Sequence, residues 1–223
     1  MVQKQFSHVR GWIFDLDNTL YPPETSLFPQ IEVRMTDWVA KELGVTPDHA
    51  SRLRTQYWRD FGTTLSGMMH LHDTDPLPYL TYVHDIDFTV LSPDLSLRSA
   101  IDQLHGRKIV YTNGSAPYAE KVLQARGLSG LFDAVYGIEH AGFHPKPNAQ
   151  AYAQILQLDG MHAPEAAMFE DDPRNLKVPH DLGMKTVHVA PEKDMHIAPF
   201  IQHHTADLTA FLRKILGHPP ETA

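Results

Sequence analysis

Short apolar runs alternate with amphipathic stretches through the second half of the chain. In the amphipathic stretches apolar residues recur at helical spacing, whereas the runs have the length of buried strands. This pattern predicts an α/β fold with a doubly wound parallel sheet, because alternating strands and helices are typical of parallel sheets covered on both faces. The predicted strands are residues 11–14, 108–111, 133–136, 167–169 and 186–189, and the predicted helices are residues 116–126, 148–158, 177–182 and 206–216.

A long helical stretch separates the first two predicted strands. Its apolar residues recur at helical spacing and predict three helices, with a loop bracketed by Gly62 and Gly67. The stretch is too long for a simple connection from a strand to a helix. We therefore predict a small helical cap domain at residues 21–93, inserted after the first strand into a core domain formed by residues 1–20 and 94–223.

Composition and charge narrow the function classes. The 223 residues carry a formal net charge of -8 with His neutral, which argues against a broad surface for nucleic acid or for anionic membranes. Cysteine is absent from the sequence, so disulfides, thiolate metal sites and a cysteine nucleophile are excluded. The 15 histidines show no spacing typical of metal ligands. Residues 1–10 lack the apolar stretch of a secretion signal and no run approaches membrane-spanning length, so we expect a cytoplasmic protein.

Two aspartates, Asp15 and Asp17, follow the first predicted strand directly. In extended backbone, residues spaced i, i+2 point to the same side. The carboxyl end of a strand is also where open α/β sheets place their chemistry. Two like charges there are unfavourable unless a cation or a proton relieves them. The pair predicts a metal site, a nucleophile and a proton carrier in one loop, with an ordinary acidic turn as the alternative.

Three more motifs follow later predicted strands. Residues 112–114, Thr-Asn-Gly, form a tight turn whose hydroxyl and backbone N–H groups can hold an anion. Lys146 lies between two prolines that stiffen the backbone around it. Asp171 and Asp172 are expected to lie in the loop after the fourth strand, with Glu170 facing away. Taken alone, these motifs are commonly an ordinary loop, a solvated lysine and a helix cap.

The joint order of the four motifs carries more information than any one of them. Each lies after or between strands of one predicted sheet, so the strand ends would bring the motifs together. Oxygen-only ligands suit Mg²⁺. The cation, the lysine, the threonine hydroxyl and the backbone amides would together stabilise a phosphoryl group, whose negative charge is spread over its oxygens.

The run Asp15-Leu16-Asp17-Asn18-Thr19, followed in order by Thr112, Lys146 and residues 170–172, resembles the motifs of the haloacid dehalogenase superfamily of aspartate-nucleophile phosphohydrolases. The core resemblance covers about residues 9–20 and 96–192, and the helical insertion is similar in position and size to the first-type cap of that family. Residues 17–21, 57–68 and 169–175 resemble the pyrimidine 5'-nucleotidase group. Asn175 stands where a second aspartate is frequent, which leaves open whether Asp172 or Asn175 completes the outer shell of the metal.

The resemblance implies a role for each matching residue. Asp15 would be the nucleophile, Asp17 the proton carrier and Mg²⁺ the cofactor. The presence of Asp17 favours phosphate chemistry over dehalogenation, because haloalkanoate dehalogenases of the superfamily lack this second aspartate. The implied catalytic residues are Asp15, Asp17, Thr112 and Lys146; the substrate-binding residues are Asn18, Asn113, Gly114 and the cap residue Arg59; the metal ligands are Asp15, Asp17 through its backbone carbonyl, Asp171 and Asp172.

The expected function is therefore Mg²⁺-dependent hydrolysis of a phosphate monoester through an aspartyl-phosphate. The resemblance puts pyrimidine nucleoside monophosphates, UMP and CMP, first as substrates, with Tyr57, His70 and His72 as further candidate cap contacts. One alternative is a phosphatase for a small sugar or organic phosphate such as phosphoglycolate. Another is a non-catalytic phosphate-binding regulatory module. The expected partner is a small-molecule phosphate monoester, with no nucleic acid or membrane partner, and the expected assembly is a monomer or a homodimer.

Overall fold

A computed structural model of the chain describes residues 2–218. The ends of the predicted core domain, residues 1 and 219–223, lie outside the described residues. Within the described part, one fully parallel sheet has the strand order β3-β2-β1-β4-β5-β6. Its strands are β1 Gly11–Phe14, β2 Arg107–Tyr111, β3 Ala134–Tyr136, β4 Ala166–Glu170, β5 Lys185–Val189 and β6 His203–Thr205.

Helices pack on both faces of this sheet, so the predicted doubly wound α/β fold is confirmed. Alternate residues of the central strands point to opposite faces, with Phe14 and Phe169 on one side and Ile13 and Met168 on the other. The helices are α1 Val2–Gln5, α2 Leu27–Leu43, α3 Pro47–Phe61, α4 Thr64–His72, α5 Pro76–Val83, α6 Leu95–Asp102, α7 Ala116–Ala125, α8 Ala149–Asp159, α9 Lys177–Asp181 and α10 Leu208–Leu216. Among them, none combines the length and the apolar character needed to cross a membrane.

The strand order reverses beside β1, and this reversal locates the site. The chain runs outward from β1 through β2 to β3, then returns to place β4 on the other side of β1. In open α/β sheets the crevice at such a switch point, beyond the carboxyl ends of the strands, is the usual ligand site. The loops after β1, β2 and β4 meet there and carry three of the four sequence motifs, and the segment after β3 carries the fourth, Lys146.

Helices α2 to α5, hereafter the helical segment, lie between β1 and α6. They have a small apolar cluster of their own, formed by Val39, Ala50, Tyr57 and Met68. The predicted loop between Gly62 and Gly67 is wrong, because α4 begins at Thr64 and contains Gly67. A Cβ atom at Gly67 would lie 2.5 Å from Cβ of Tyr57, so the glycine allows α3 and α4 to approach closely rather than ending a helix.

The sequence pattern also missed two short elements. Strand β6, with two histidines and a threonine, has no apolar run to mark it, and it pairs only with β5. Helix α1 has a single turn and no buried residue. Both elements are therefore held in place by the neighbours on which they pack rather than by a strong local pattern.

Candidate active site

The ammonium group of Lys146 lies at the centre of a buried cluster of charges. Nζ donates to Oδ1 of Asp15 at 2.6 Å, to Oε2 of Glu170 at 2.7 Å and to the carbonyl oxygen of Tyr111 at 3.0 Å. Only 1% of the Lys146 surface is exposed. These three bonds use the full donor capacity of an ammonium group. Lys146 is therefore fixed in position, and it holds together the two carboxylates at the carboxyl ends of β1 and β4.

Strand register explains why Asp15 and Glu170 meet. Ile13 pairs with Met168, and the backbone N–H of Asp15 donates to the carbonyl of Phe169 at 2.9 Å. Asp15 and Glu170 each lie two residues beyond this apolar pair, so both point to the same face of the sheet. The expectation that Glu170 faces away is wrong, because β4 continues through Glu170 and its alternation turns that side chain toward Lys146.

The loop after β2 positions the backbone of Lys146. Asn113 accepts a hydrogen bond from the N–H of Lys146 at 2.8 Å and donates to its carbonyl oxygen at 3.2 Å. The fully buried Thr112 accepts from the N–H of Gly114 at 2.9 Å. The side chain of Asn113 therefore fixes the backbone of Lys146 through two hydrogen bonds. The hydroxyl proton of Thr112 stays available as a donor, since Oγ1 acts as the acceptor in that bond.

Three carboxylates at this end of the sheet form a candidate metal site. Ligand oxygens of Asp15, Glu170 and Asp171 all lie within 4.8 Å of one another. Asn18 donates to Oδ2 of Asp171 at 3.1 Å, and Nε2 of the buried His188 lies 2.8 Å from the Asp171 carbonyl oxygen. Carboxylate oxygens in a group of this kind suit a hard cation such as Mg²⁺. The donor set therefore fits the predicted cofactor.

Electrostatics at the cluster also favour a cation. Burial, reinforced by the nearby Glu170, raises the pKa of Asp15 to about 7. Burial and the same glutamate raise the pKa of Asp171 well above its usual value. Burial alone would lower the pKa of Lys146, but Asp15 and Glu170 raise it, so the lysine stays charged. When ionised, three carboxylates face one ammonium, and a divalent cation would balance the remaining charge.

The structure places Asp172 outside this cluster. Its carboxylate accepts from the guanidinium of Arg174, with Oδ2 2.6 Å from Nη2, and Oδ1 caps the turn that follows. Asn175 is buried, and its backbone carbonyl oxygen accepts a hydrogen bond from the hydroxyl of Tyr152. Of the aspartates after β4, Asp171 is thus the one that points toward Asp15.

The carboxylate of Asp17 is also separate from the three-carboxylate cluster. Its Oδ1 accepts from the hydroxyls of Tyr21 and Tyr118, each at 2.6 Å. The alternation of side chains along a strand does not extend to Asp17, because β1 ends at Phe14, and the Asp17 carboxylate lies instead against Tyr118 of α7. Burial and the neighbouring Asp15 raise the pKa of Asp17 to about 6, which favours a group that can carry a proton.

A cleft of about 130 Å³ opens beside Asp17, between the helical segment and the loop after β2. Its polar lining includes Asp17, Asn113 and His84. Most of the remaining lining comes from apolar side chains of the helical segment: Phe28, Ile31, Met35, Trp58, Leu65, Leu80 and Val83. Within the described part of the chain, no lysine or arginine lines this cleft.

The cap residues expected to contact substrate lie elsewhere. Arg59 is exposed on the outer surface of α3, beside Ser51 and Thr55. Tyr57 is buried among the helices, where its hydroxyl lies 2.8 Å from Nε2 of His72. His70 packs against Phe61. None of these side chains is among the residues that line the cleft, so the structure does not bring them to it.

Sequence reasoning missed two tyrosines and one histidine of the site. Tyr21 lies four residues after Asp17, and Tyr118 lies in the first turns of α7. His84 ends α5 and stacks on Tyr118, with ring centroids 4.2 Å apart. For Tyr21 the short spacing from Asp17 was a usable signal. For the other two, the contact depends on how α5 and α7 dock.

Comparisons with known proteins agree with this geometry. A family model described as haloacid dehalogenase-like hydrolase matches residues 9–183. Phosphate metabolism protein 8 of Saccharomyces cerevisiae is 26% identical over 191 residues, which are 78% of this chain. The chain spans 59% of the length of that curated relative.

Solved structures show the same fold at low sequence identity. A HAD phosphatase from Thermococcus onnurineus superposes with a TM-score of 0.64 at 18% identity, covering 95% of this chain and 100% of the other. The HAD-hydrolase YfnB from Bacillus subtilis, whose structure contains magnesium, superposes with a TM-score of 0.61 at 16% identity, covering 93% and 98%. Because the family model matches most of the sequence, including all four motifs, the chain belongs to the haloacid dehalogenase-like hydrolases.

Proposed function

We propose that this protein is a Mg²⁺-dependent phosphate monoester hydrolase that works through an aspartyl-phosphate on Asp15. The observation that carries the proposal is the buried contact of Asp15 with Lys146, beside the carboxylates of Glu170 and Asp171. A carboxylate nucleophile, a fixed cation and an oxygen-rich ligand set are the parts that phosphoryl transfer requires.

The residues divide the work of the first step. Asp15 attacks phosphorus while the bond from phosphorus to the leaving oxygen breaks. Lys146 offsets negative charge on Asp15 and on the phosphoryl oxygens. The hydroxyl of Thr112 donates a hydrogen bond to one of those oxygens. Asp15, Glu170 and Asp171, with the backbone carbonyl of Asp17, would hold Mg²⁺, which when bound supplies further charge neutralisation at the phosphoryl group.

Asp17 serves as the proton carrier. It gives a proton to the leaving oxygen in the first step and takes one from the water that hydrolyses the aspartyl-phosphate. Its position at the cleft fits this role, because the leaving group of a bound ester would enter from that side. We propose that the helical segment acts as a cap that covers this cleft and excludes water from the covalent step.

For the substrate we propose pyrimidine nucleoside monophosphates, with UMP and CMP first. The resemblance of residues 17–21, 57–68 and 169–175 to the pyrimidine 5'-nucleotidase group supports this choice. The cleft lining supports an uncharged leaving group such as a nucleoside, because among the described residues it offers no cation to pair with a second anionic group. Phosphoglycolate, with its carboxylate, fits that lining less well.

A metabolite screen tests the proposal. We expect purified protein with Mg²⁺ to release phosphate from a generic aryl phosphate and to prefer UMP and CMP among phosphorylated metabolites. Asp15→Asn should reduce turnover by at least about 1000-fold, because the nucleophile is lost. A preference for phosphoglycolate or sugar phosphates would overturn the nucleotide assignment. Wild-type protein that hydrolyses none of these esters would instead indicate a phosphate-binding module.

A further inference from the structure

Two buried phenols hold one oxygen of Asp17. The hydroxyls of Tyr21 and Tyr118 each lie 2.6 Å from Oδ1 and 3.5 Å from each other. Each tyrosine has 1% of its surface exposed. Two short O–H bonds to one carboxylate oxygen occupy both of its in-plane acceptor positions. Oδ1 therefore cannot take a proton without losing one of these bonds.

The other oxygen of Asp17 is in a different situation. Within residues 2–218, no protein group donates a hydrogen bond to Oδ2. Asp17 lines the cleft between the helical segment and the loop after β2. Because Oδ1 is held on the side of the tyrosines, rotation of the carboxylate is restricted, and Oδ2 remains as the oxygen that can carry the proton.

The tyrosines are themselves held in place. Tyr21 lies four residues after Asp17, in the same loop, and its ring packs in the apolar core. The ring of Tyr118 stacks on His84, at the end of α5, with an angle of 8° between the planes. Nδ1 of His84 lies 3.1 Å from Oγ of Ser115, the residue that caps α7. Since a carboxylate oxygen only accepts, both phenol hydroxyls act as hydrogen-bond donors to Asp17.

We propose that Tyr21 and Tyr118 are positioning residues that hold Oδ1 of Asp17 and direct Oδ2 to the leaving oxygen of the substrate. The inference rests on the proposed phosphatase function and assigns separate roles to the two oxygens of the proton carrier. In the first step, Oδ2 loses its proton to the leaving oxygen as the bond from that oxygen to phosphorus breaks and the bond to Asp15 forms. In the second step, Oδ2 takes a proton from water as the water oxygen bonds to phosphorus and the bond from phosphorus to Asp15 breaks, which releases phosphate and restores the Asp15 carboxylate.

A leaving-group series tests this role. We would measure kcat/KM for p-nitrophenyl, phenyl and 4-methoxyphenyl phosphate, because kcat/KM reports the steps up to formation of the aspartyl-phosphate. The p-nitrophenolate ion leaves readily without a proton, whereas the other two leaving groups depend on the acid. For Tyr118→Phe and Tyr21→Phe we expect kcat/KM to fall about tenfold or more with the two poorer leaving groups, and by less than about twofold with p-nitrophenyl phosphate.

Two further variants make the test specific. Tyr136→Phe is the matched control, because it removes a tyrosine-to-carboxylate bond of 3.0 Å, to Asp159, away from the cleft. We expect it to leave kcat/KM for all three esters close to wild type. In an Asp17→Asn background, Tyr118→Phe should add no further dependence on the leaving group, since the acid that it positions is gone.

Each other outcome has a definite meaning. Retained activity on p-nitrophenyl phosphate shows that a variant is folded. An equal loss on all three esters, or no loss on any, would overturn the positioning role while leaving the phosphatase function intact. An additive effect of Tyr118→Phe in the Asp17→Asn background would overturn it as well. A wild-type protein that hydrolyses none of the esters would overturn the proposed function, and this inference with it.

Discussion

The guanidinium of Arg174 stacks on the indole ring of Trp58, with Cζ 3.7 Å from the ring centroid. Trp58 lies on α3 of the helical segment, whereas Arg174 lies in the loop after β4 and binds Asp172. The stack therefore joins the helical segment to the loop that carries Asp171. It also explains why Asp172, next to Asp171 in sequence, points away from the carboxylate cluster.

A double-mutant cycle should measure this contact. We expect Arg174→Ala and Trp58→Ala to show a coupling of about 0.5–1 kcal/mol in the free energy of unfolding, the usual range for a partly exposed cation–π pair. Chemical denaturation of the wild type, both single variants and the double variant gives the value. Arg59→Ala is the control. Because Arg59 is exposed on the outer surface of α3, we expect the Arg59→Ala protein to keep the KM and the free energy of unfolding of the wild type. Additive effects of the two substitutions would contradict the proposed link.

Asp171 and Asp172 should differ sharply in their effect on Mg²⁺ binding. Asp171→Asn removes a carboxylate from the three-oxygen cluster, so we expect the Mg²⁺ concentration for half-maximal activity to rise about tenfold or more. The increase in melting temperature on adding Mg²⁺ should shrink in parallel. Asp172→Asn changes a side chain bound to Arg174, and both readouts should remain near wild type. Equal effects of the two substitutions would show that Asp172 also binds the cation.

Gly67→Ala should destabilise the protein although alanine is the better helix former. The added Cβ would lie 2.5 Å from Cβ of Tyr57, and overpacking of this kind costs about 1–3 kcal/mol. The gain in helix propensity offsets at most about 1 kcal/mol of that cost. Thermal or chemical unfolding measures the balance. Ser66→Ala on the same helix is the matched control, for which we expect a change within about 0.5 kcal/mol.

Buried His84 should make stability depend on pH. Burial, with a smaller effect of Lys121, lowers its pKa from 6.5 to about 3 in the folded protein. Below pH 6.5 the unfolded chain therefore binds a proton that the folded protein does not, and stability falls as the pH decreases toward 3. From His84 alone we expect a loss of about 1 kcal/mol in the free energy of unfolding between pH 7 and pH 5.5.

Replacement of this histidine isolates its contribution. We expect His84→Gln to remove about that amount of pH dependence, measured by urea unfolding at each pH. His49→Gln, at an exposed histidine of α3, should keep the wild-type dependence. If His84→Gln shows the same slope as the wild type between pH 7 and pH 5.5, His84 does not stay neutral in the folded protein.

Local patterns in the sequence were enough to predict strands β1 to β5 and most of the helices. A buried strand such as Gly11–Phe14 needs a continuous apolar run, and a helix such as Ala116–Ala125 begins where Ser115 can cap it. Both signals lie within a few residues of the element. The predictions that failed concern features whose cause lies elsewhere in the chain. Strand β6 forms because its backbone pairs with β5, and Gly67 is needed for close packing between two helices.

By itself, the sequence determined which loops carry the reactive groups, because the strand pattern and the order of the motifs place them at one edge of a parallel sheet. Only the tertiary structure decided which atoms meet there. Glu170 turns toward Lys146 through strand register, and Tyr118 reaches Asp17 across 101 residues of sequence. Asp172 turns away toward Arg174, whose guanidinium is held by the distant Trp58. The physical reason is that the direction of a side chain at a strand end is set by the neighbours it binds, and those neighbours come from distant parts of the chain.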